Sequence, residues 1–274
     1  MKNKLRILLT NDDSINSSGI ILLADALRNA GHRVFVLAPE TDQSGVSHFI
    51  SFFRTPRKIM QTGPDTWVCD GTPADCVAVA LLGGLPEMCK SLDDTPPDLV
   101  IAGINRGENL GTDLTYSGTA AAARQGALCG IPSLALSLHE GDEGRQNIWN
   151  WEMAAAFSVE RLDEMINCWK PGSFVNVNIP NHSEKPLKIV HAFPSFRYYN
   201  DSIEIYNGPD GHRYCFTRTG KISEKSTQEI AKLCSVDFQS GDLLSDYDVV
   251  TGNNASLSRI YIHPVLLESM LQKH

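Results

Sequence analysis

No two of the chain's seven cysteines, at positions 69, 76, 89, 129, 168, 215 and 234, stand in a C-x-x-C pair. An odd number without paired spacing argues against a disulfide framework or a zinc motif and leaves reduced thiols of the core or surface. Long apolar runs are missing too, with none near the roughly 18 residues that cross a bilayer. Positive charge is in deficit: 24 Lys and Arg face 32 Asp and Glu, a net charge of −8. That balance argues against bulk electrostatic binding to a nucleic-acid polymer. It leaves open a small phosphate ligand, which backbone N–H groups and a metal can hold. Neither the P-loop pattern G-x-x-x-x-G-K-[ST] nor a G-x-G-x-x-G fingerprint after the first strand occurs. There is no internal repeat and no low-complexity tract. The N-terminus enters a strand at once, so a signal peptide is not expected. The expectation is a cytoplasmic protein with no membrane partner.

What is present is an alternation of strand and helix over 274 residues that are 42% hydrophobic. Apolar runs at Arg6 to Thr10, Arg33 to Ala38, Asp98 to Gly103, Ser133 to Ser137 and Phe174 to Asn178 read as buried strands. Helical spacing is expected over Gly19 to Ala30, Thr72 to Leu82, Thr119 to Leu128 and Trp151 to Cys168. Residues 50 to 70 read as a β excursion through Ile50 to Phe53, Lys58 to Met60 and Trp67 to Cys69. The fold class is therefore α/β, a mainly parallel sheet covered by helices on both faces. Beyond Pro180, Lys188 to Ala192 is a further strand. Tyr198 to Tyr206 and His212 to Thr217 read as a hairpin around Asn207 to Gly211, and 220 to 235 is polar. Ser258 to His263 closes the pattern. One α/β domain is expected, with a core of about 1–194 and 245–274 and a protruding arm of about 195–244.

Chemistry concentrates just after the strands, where ligands of open α/β sheets bind. After the first strand come Asn11, Asp12, Asp13 and Ser14. Both carboxylates reach one point only if the chain turns there, because neighbours on a continuing strand face opposite ways. Adjacent carboxylates repel, and a hard divalent cation compensates them with oxygen ligands. The same tetrapeptide also fits an Asx-type turn capping the next helix. After the second strand comes APETDQSG, with Ser44 and Gly45; after the third comes Gly103 to Asn109, with Asn105. A fourth element, Ser117, Gly118 and Thr119 before an Ala-rich helix, reads either as a phosphate cradle or as a plain N-cap.

Together these segments resemble the survival protein E (SurE) family of metal-dependent nucleotidases. The resemblance runs from Arg6 to about Leu138, with weaker echoes to His263. It is carried in order by RILLTNDDS, APETDQSG, CDGTPADCV (69–77), AGINRGENLGTDLTYSGTAAAA (102–123) and GIPSLALS (130–137). It implies a Rossmann-like core with a C-terminal β arm. It also implies hydrolysis of nucleoside 5′- and 3′-monophosphates, with some members accepting short polyphosphate. One divalent metal ion per subunit, Mn2+ or Mg2+ for example, is implied at Asp12, Asp13, Ser44 and Asn105. Homodimers or homotetramers through exchanged C-terminal segments are implied as well.

In that setting Asp12, Asp13 and Asn11 are the expected catalytic residues, and Asn11, Gly45, Ser117, Gly118 and Thr119 steady the phosphate. Arg106 offsets its charge or makes a surface ion pair, and His48 is a candidate general acid. Phe49, Phe52 and Phe53 either stack a base or belong to the core or an interface. Two positions depart from the family pattern: Ser14 where glycine is usual, and Gln125 where many members have Glu. A non-catalytic nucleotide or metal sensor on the same fold is the main alternative. A receiver domain is shorter, and a haloacid-dehalogenase-like phosphatase uses D-x-D where this chain has adjacent aspartates. A polymer-scaffolding role for the arm is a further reading.

Overall fold

The computed structural model describes residues 4–89, 95–182, 188–220, 222–225 and 244–263, the segment 222–225 by its backbone alone. Most of the polar stretch expected at 220–235, and the rest of the arm to 243, lie outside the described residues.

The central sheet is built from β1 (Arg6–Thr10), β2 (Arg33–Pro39), β3 (Ile59–Gly63), β4 (Thr66–Cys69), β5 (Leu99–Arg106), β6 (Ser133–His139), β7 (Ser173–Pro180), β8 (Ile189–Phe193), β13 (Leu244–Ser245) and β14 (Ala255–Tyr261). Its strand order is β13-β8-β14-β7-β6-β5-β1-β2-β4-β3. The pairs from β4 through β2, β1, β5 and β6 to β7 are all parallel, and antiparallel pairs occur at β3–β4 and β14–β7.

Burial on both faces explains the near-continuous apolar strands. Ile7, Leu9, Val34, Val36, Ile101 and Val175 pack on one side against α1 (Ser18–Asn29), α6 (Trp151–Glu160) and α7 (Leu162–Cys168). Leu8, Phe35, Leu37, Val100 and Phe174 face the other way, against α2 (Pro73–Val79), α3 (Leu85–Met88) and α4 (Gly118–Leu128). Thus consecutive residues of one strand serve two cores, as the strand's two-residue period requires. A short α5 (Gly141–Arg145) follows β6, and α8 (Asp246–Thr251) leads into β14.

Several local expectations are corrected. Ile50 to Phe53 forms no strand; Asp75 accepts the backbone N–H groups of Ser51 at 2.8 Å and Phe52 at 3.4 Å and also the Ser51 hydroxyl. A side chain thus satisfies the backbone that a neighbouring strand would otherwise pair. The helix expected to Leu82 departs from α geometry after Val79, and Leu82 and Gly83 (φ +108°) are non-helical. The helix expected over 151–168 is interrupted at Arg161, where φ is −100° and ψ 9°. Tyr198 to Tyr206 is two strands, not one: β9 (Phe196–Tyr199) pairs with β12 (Ile222–Lys225), while β10 (Ser202–Asn207) pairs with β11 (Arg213–Arg218). The hairpin turn falls at Asn207 to Gly211 as expected, with Gly208 N–H donating to the His212 carbonyl at 2.7 Å.

The strand expected to end at Gly103 continues to Arg106. Its register against β6 shifts between Ala102 and Asn105. Gly103 adopts φ +130°, and a Cβ there would collide with the Leu136 carbonyl oxygen. Glycine permits that close passage and delivers Asn105 to the carboxyl edge of the sheet.

Asp75 pins both the 51–52 turn and the start of α2, where Thr72 N–H donates to it at 2.9 Å and its own N–H donates to Thr72 Oγ1 at 3.1 Å. Asp75→Ala leaves these buried donors unpaired, so a loss of about 3 kcal/mol is expected, measured as a lower midpoint in urea unfolding.

Candidate active site

The chain turns directly after β1. The Asn11 side-chain amide donates to the Ser14 carbonyl at 2.7 Å and to Ser17 Oγ at 2.8 Å. Asn11 therefore forms the turn that its residue type favours. Ser14 sits at φ +88°, in the left-handed region where glycine is at ease. The serine departure thus keeps the turn in a conformation that disfavours it.

Asp12 is nearly inaccessible, at 3% exposure. Its carboxylate accepts the Thr119 N–H at 3.0 Å and the Thr119 hydroxyl. Burial pushes its pKa up to about 6; the Thr119 hydroxyl lowers it and the Asp13 charge raises it. Asp13 is also raised, by burial first and by Asp42 as well, against the lowering effect of the Arg106 N–H that donates to it at 2.9 Å. Two neighbouring carboxylates are thus held close together with their charge only partly compensated.

The other loops are tied to this turn. Gln43 N–H donates to the Asp12 carbonyl at 2.7 Å, which draws in the loop bearing Ser44 and Gly45. Ser47 fixes that loop to the entry of α4, through its N–H to the Tyr116 carbonyl at 2.9 Å and its hydroxyl to the Thr115 carbonyl at 2.7 Å. Ser117 caps α4, its Oγ accepting the Ala120 N–H at 2.9 Å. Gly118 lies against Asp12, where an added Cβ would come within 2.9 Å of the carboxylate. Asn105 donates its amide to the Gly107 carbonyl at 2.9 Å, leaving its Oδ1 as an acceptor.

These loops border a cavity of about 830 Å³. Of the residues expected from the sequence, Asp12, Ser44, Gly45, Asn105 and Ser117 line it. Asp13, Asn11, Gly118 and Thr119 stand behind that lining. The N–H of Thr119 is already donated to Asp12, so it steadies that carboxylate instead of remaining open for phosphate. Among the described residues the N–H groups of Gly45 and Gly118 have no hydrogen-bond partner. Gly45 has φ +74° and open space where a side chain would stand.

Arg106 lines the cavity, but not as an ion pair. Among the described residues it makes no salt bridge; its guanidinium donates to Asn147 Oδ1 at 2.9 Å and lies over Trp149, 5.0 Å from the ring centroid. His48 does not line the cavity. Its Nε2 is 3.0 Å from Gln125 Oε1, and burial lowers its pKa further below the ordinary value than the Gln125 contact restores. Phe49, Phe52 and Phe53 are also away from the cavity; Phe53 is 81% exposed.

The far side of the cavity was not anticipated. Glu108, Asp113, Trp149, Arg197 and Tyr199 line it. Arg197 donates to Asp113 and lies 3.6 Å from Glu108, and the Tyr199 hydroxyl donates to Asp113. No local sequence signal marks this cluster, since β9 meets Asp113 across more than eighty residues.

A divalent cation is chemically compatible with the near side. Asp12, Asp13, Ser44 and Asn105 offer hard oxygen donors of the kind such a cation takes. Among the described residues no group of three or more His, Cys, Asp or Glu side chains is placed to hold a metal ion.

Comparison with known proteins gives a consistent result. The family model described as survival protein SurE matches residues 7–200. The 5′-nucleotidase SurE of Methylorubrum extorquens (strain PA1) is 42% identical over 178 residues, 65% of this chain and 66% of the relative. The chain thus spans just under two thirds of that relative's length. The 5′-nucleotidase SurE of Synechococcus elongatus is 34% identical over 241 residues, 85% of this chain and 88% of the relative. The crystal structure of the SurE protein from Aquifex aeolicus aligns with TM-score 0.75 at 30% identity, covering 98% of each chain.

Glu108 yields a test of the cavity wall. Burial pushes its pKa up, but the hydrogen bond and charge of His139, 3.0 Å away, outweigh this and hold it at about 2. A depressed carboxylate contributes stability above its ordinary pKa of 4.5 and loses it as pH falls toward 2. Glu108→Gln is therefore expected to unfold at lower urea than the parent at pH 7. The difference should shrink as titrations move from pH 5 toward about 2.5.

Proposed function

The chain belongs to the SurE family, and from that premise we propose that it is a cytoplasmic nucleotidase. It hydrolyses nucleoside 5′- and 3′-monophosphates to nucleoside and phosphate, with short polyphosphate as a further substrate class. The observation that carries this reading is the Asp12–Asp13 pair, Asp12 buried and Asp13 half-buried, tied by direct hydrogen bonds to the loops of Ser44 and Asn105 beside a cavity of substrate size. Among the described residues no helix is long and apolar enough to cross a membrane.

Asp12, Asp13, Ser44 and Asn105 would hold one divalent cation, Mn2+ or Mg2+. When bound, such an ion polarises a phosphoryl oxygen and makes water a better nucleophile. The chain's own contribution is positioning. Thr119 fixes the Asp12 carboxylate through two hydrogen bonds, and the Arg106 N–H fixes Asp13. Asn11 sets the turn that places both. The Gly45 N–H, which lines the cavity without a partner, would donate to a phosphate oxygen, and the N-terminus of α4 would add its positive dipole end there. In the net reaction a water oxygen bonds to phosphorus, the phosphorus–oxygen ester bond breaks, and the nucleoside oxygen takes a proton. Because His48 stands apart from the cavity, that proton is assigned to solvent.

The organisation of the chain is part of the same proposal: one α/β unit whose arm mediates a homodimer or homotetramer. The hairpin β10–β11 supports this, because Ile203, Ile205, Tyr206 and Phe216 are exposed on it. A two-stranded hairpin with such surface is marginal alone in water.

The deciding experiment is phosphate release from a panel of nucleoside monophosphates with Mn2+ or Mg2+, and with EDTA as control. Release is expected only with metal. Asp12→Asn should lower it by on the order of 10²-fold or more with the thermal transition retained. Undiminished turnover in that variant would refute the assignment.

A further inference from the structure

The cavity is larger than phosphate chemistry needs. At about 830 Å³ it falls in the range of sites that enclose a whole drug-sized ligand. Its near side holds the Asp12 carboxylate and the open Gly45 N–H, while its far side holds a different set of groups. We propose that β9, the strand at the base of the arm, supplies the leaving-group half of the site. Tyr199, braced by Arg197 and Asp113, binds the nucleoside. This inference rests on the nucleotidase reading and deepens it.

Three observations support the assignment. First, β9 is locked in place. Arg197 N–H donates to Thr112 Oγ1 at 3.0 Å, and the Asp246 carboxylate accepts Gly111 N–H and Ser195 N–H, each at 2.8 Å. A Cβ on Gly111, which has φ +48°, would collide with the Ser195 carbonyl. The segment before β9 and the turn bearing Asp113 are therefore fixed to one another before any substrate arrives.

Second, Arg197 is not a free cation for phosphate. Asp113 and Glu108 both engage it. Glu140 and Asp201 also line the cavity, so this half carries more carboxylates than cations. Such a wall accepts hydrogen bonds from sugar hydroxyls or base amino groups.

Third, aromatic surface is available at the cavity. Tyr199 is 40% exposed, and Tyr116 shares the lining, whereas Trp149 is already covered by Arg106 and Trp151. Nucleobases stack on such faces, and removing one aromatic platform typically weakens binding by about 10- to 100-fold.

The test compares a purine nucleoside 5′-monophosphate with glycerol 2-phosphate, which has no base, in the full-length protein with Mn2+. For the parent, kcat/KM should favour the nucleotide. Tyr199→Ala should lower the ratio of nucleotide to glycerol 2-phosphate kcat/KM by about 10- to 100-fold, chiefly through KM. Tyr199→Phe, which keeps the ring, should restore the ratio to within about 3-fold of the parent. If the alanine variant lacks a cooperative thermal transition, Tyr199→Leu keeps bulk without a ring and is expected to give the same loss. An unchanged ratio in a folded variant overturns the inference. So does a parent that cleaves both substrates equally, which leaves a general phosphatase standing. Absence of metal-dependent release from either substrate removes the nucleotidase reading and this inference with it.

Discussion

Burial of one carboxylate organises the rest of this molecule. Asp12 leaves the end of a central parallel strand and is almost wholly withdrawn from water with Asp13 beside it. An isolated carboxylate in such a place is unfavourable unless donors surround it. Two of those donors come from one residue, Thr119, at the N-terminus of α4, where the helix dipole also favours negative charge. Gly118 has to be small because the carboxylate occupies the space where a Cβ would stand. The main chain of Asp12 holds the second loop through Gln43, and Asp13 holds the third through Arg106. Three loops from distant parts of the sequence thus converge on two adjacent residues. The interactions that make the carboxylate tolerable in the fold also fix its position at the edge of the cavity.

A second buried aspartate does comparable work at the other end of the cavity. Asp246, on α8, accepts N–H groups from Gly111 and Ser195 and so joins the turn after β5 to the base of the arm. Burial raises its pKa while these N–H donors lower it. Its two partners bring Asp113 and Arg197 within reach of one another. The cavity is therefore bounded by two carboxylate-centred junctions: one formed within the first half of the chain, the other formed only when the late elements return to the sheet. That dependence makes β9 and the segment before it part of the cavity's construction.

Much of the near side was legible because its parts are contiguous. Asn11 to Ser14, Ser44 with Gly45, and Ser117 to Thr119 each occupy one short loop after an apolar strand or before an alanine-rich helix, and parallel-sheet topology places such loops at a shared edge. Alternation within Ile7, Leu8 and Leu9 likewise reports two cores. The far side was not legible for the opposite reason. Arg197 and Tyr199 lie among residues that read only as an alternating strand, and their partners are fixed by tertiary closure. The misread strand at Ile50 to Phe53 has a related cause. Its residues favour extended backbone, but the carboxylate of Asp75, more than twenty residues on, satisfies the main chain in a turn.

The two departures from the family pattern act through different physics. Ser14 keeps a positive φ that glycine would adopt freely, so its effect is conformational and is borne by the turn that Asn11 stabilises. Gln125 acts through charge. Its Oε1 accepts a hydrogen bond from His48 Nε2, and burial together with the Arg124 charge keeps that imidazole's pKa below its ordinary value. A glutamate in the same place would favour the protonated ring. With glutamine the pair stays neutral near pH 7.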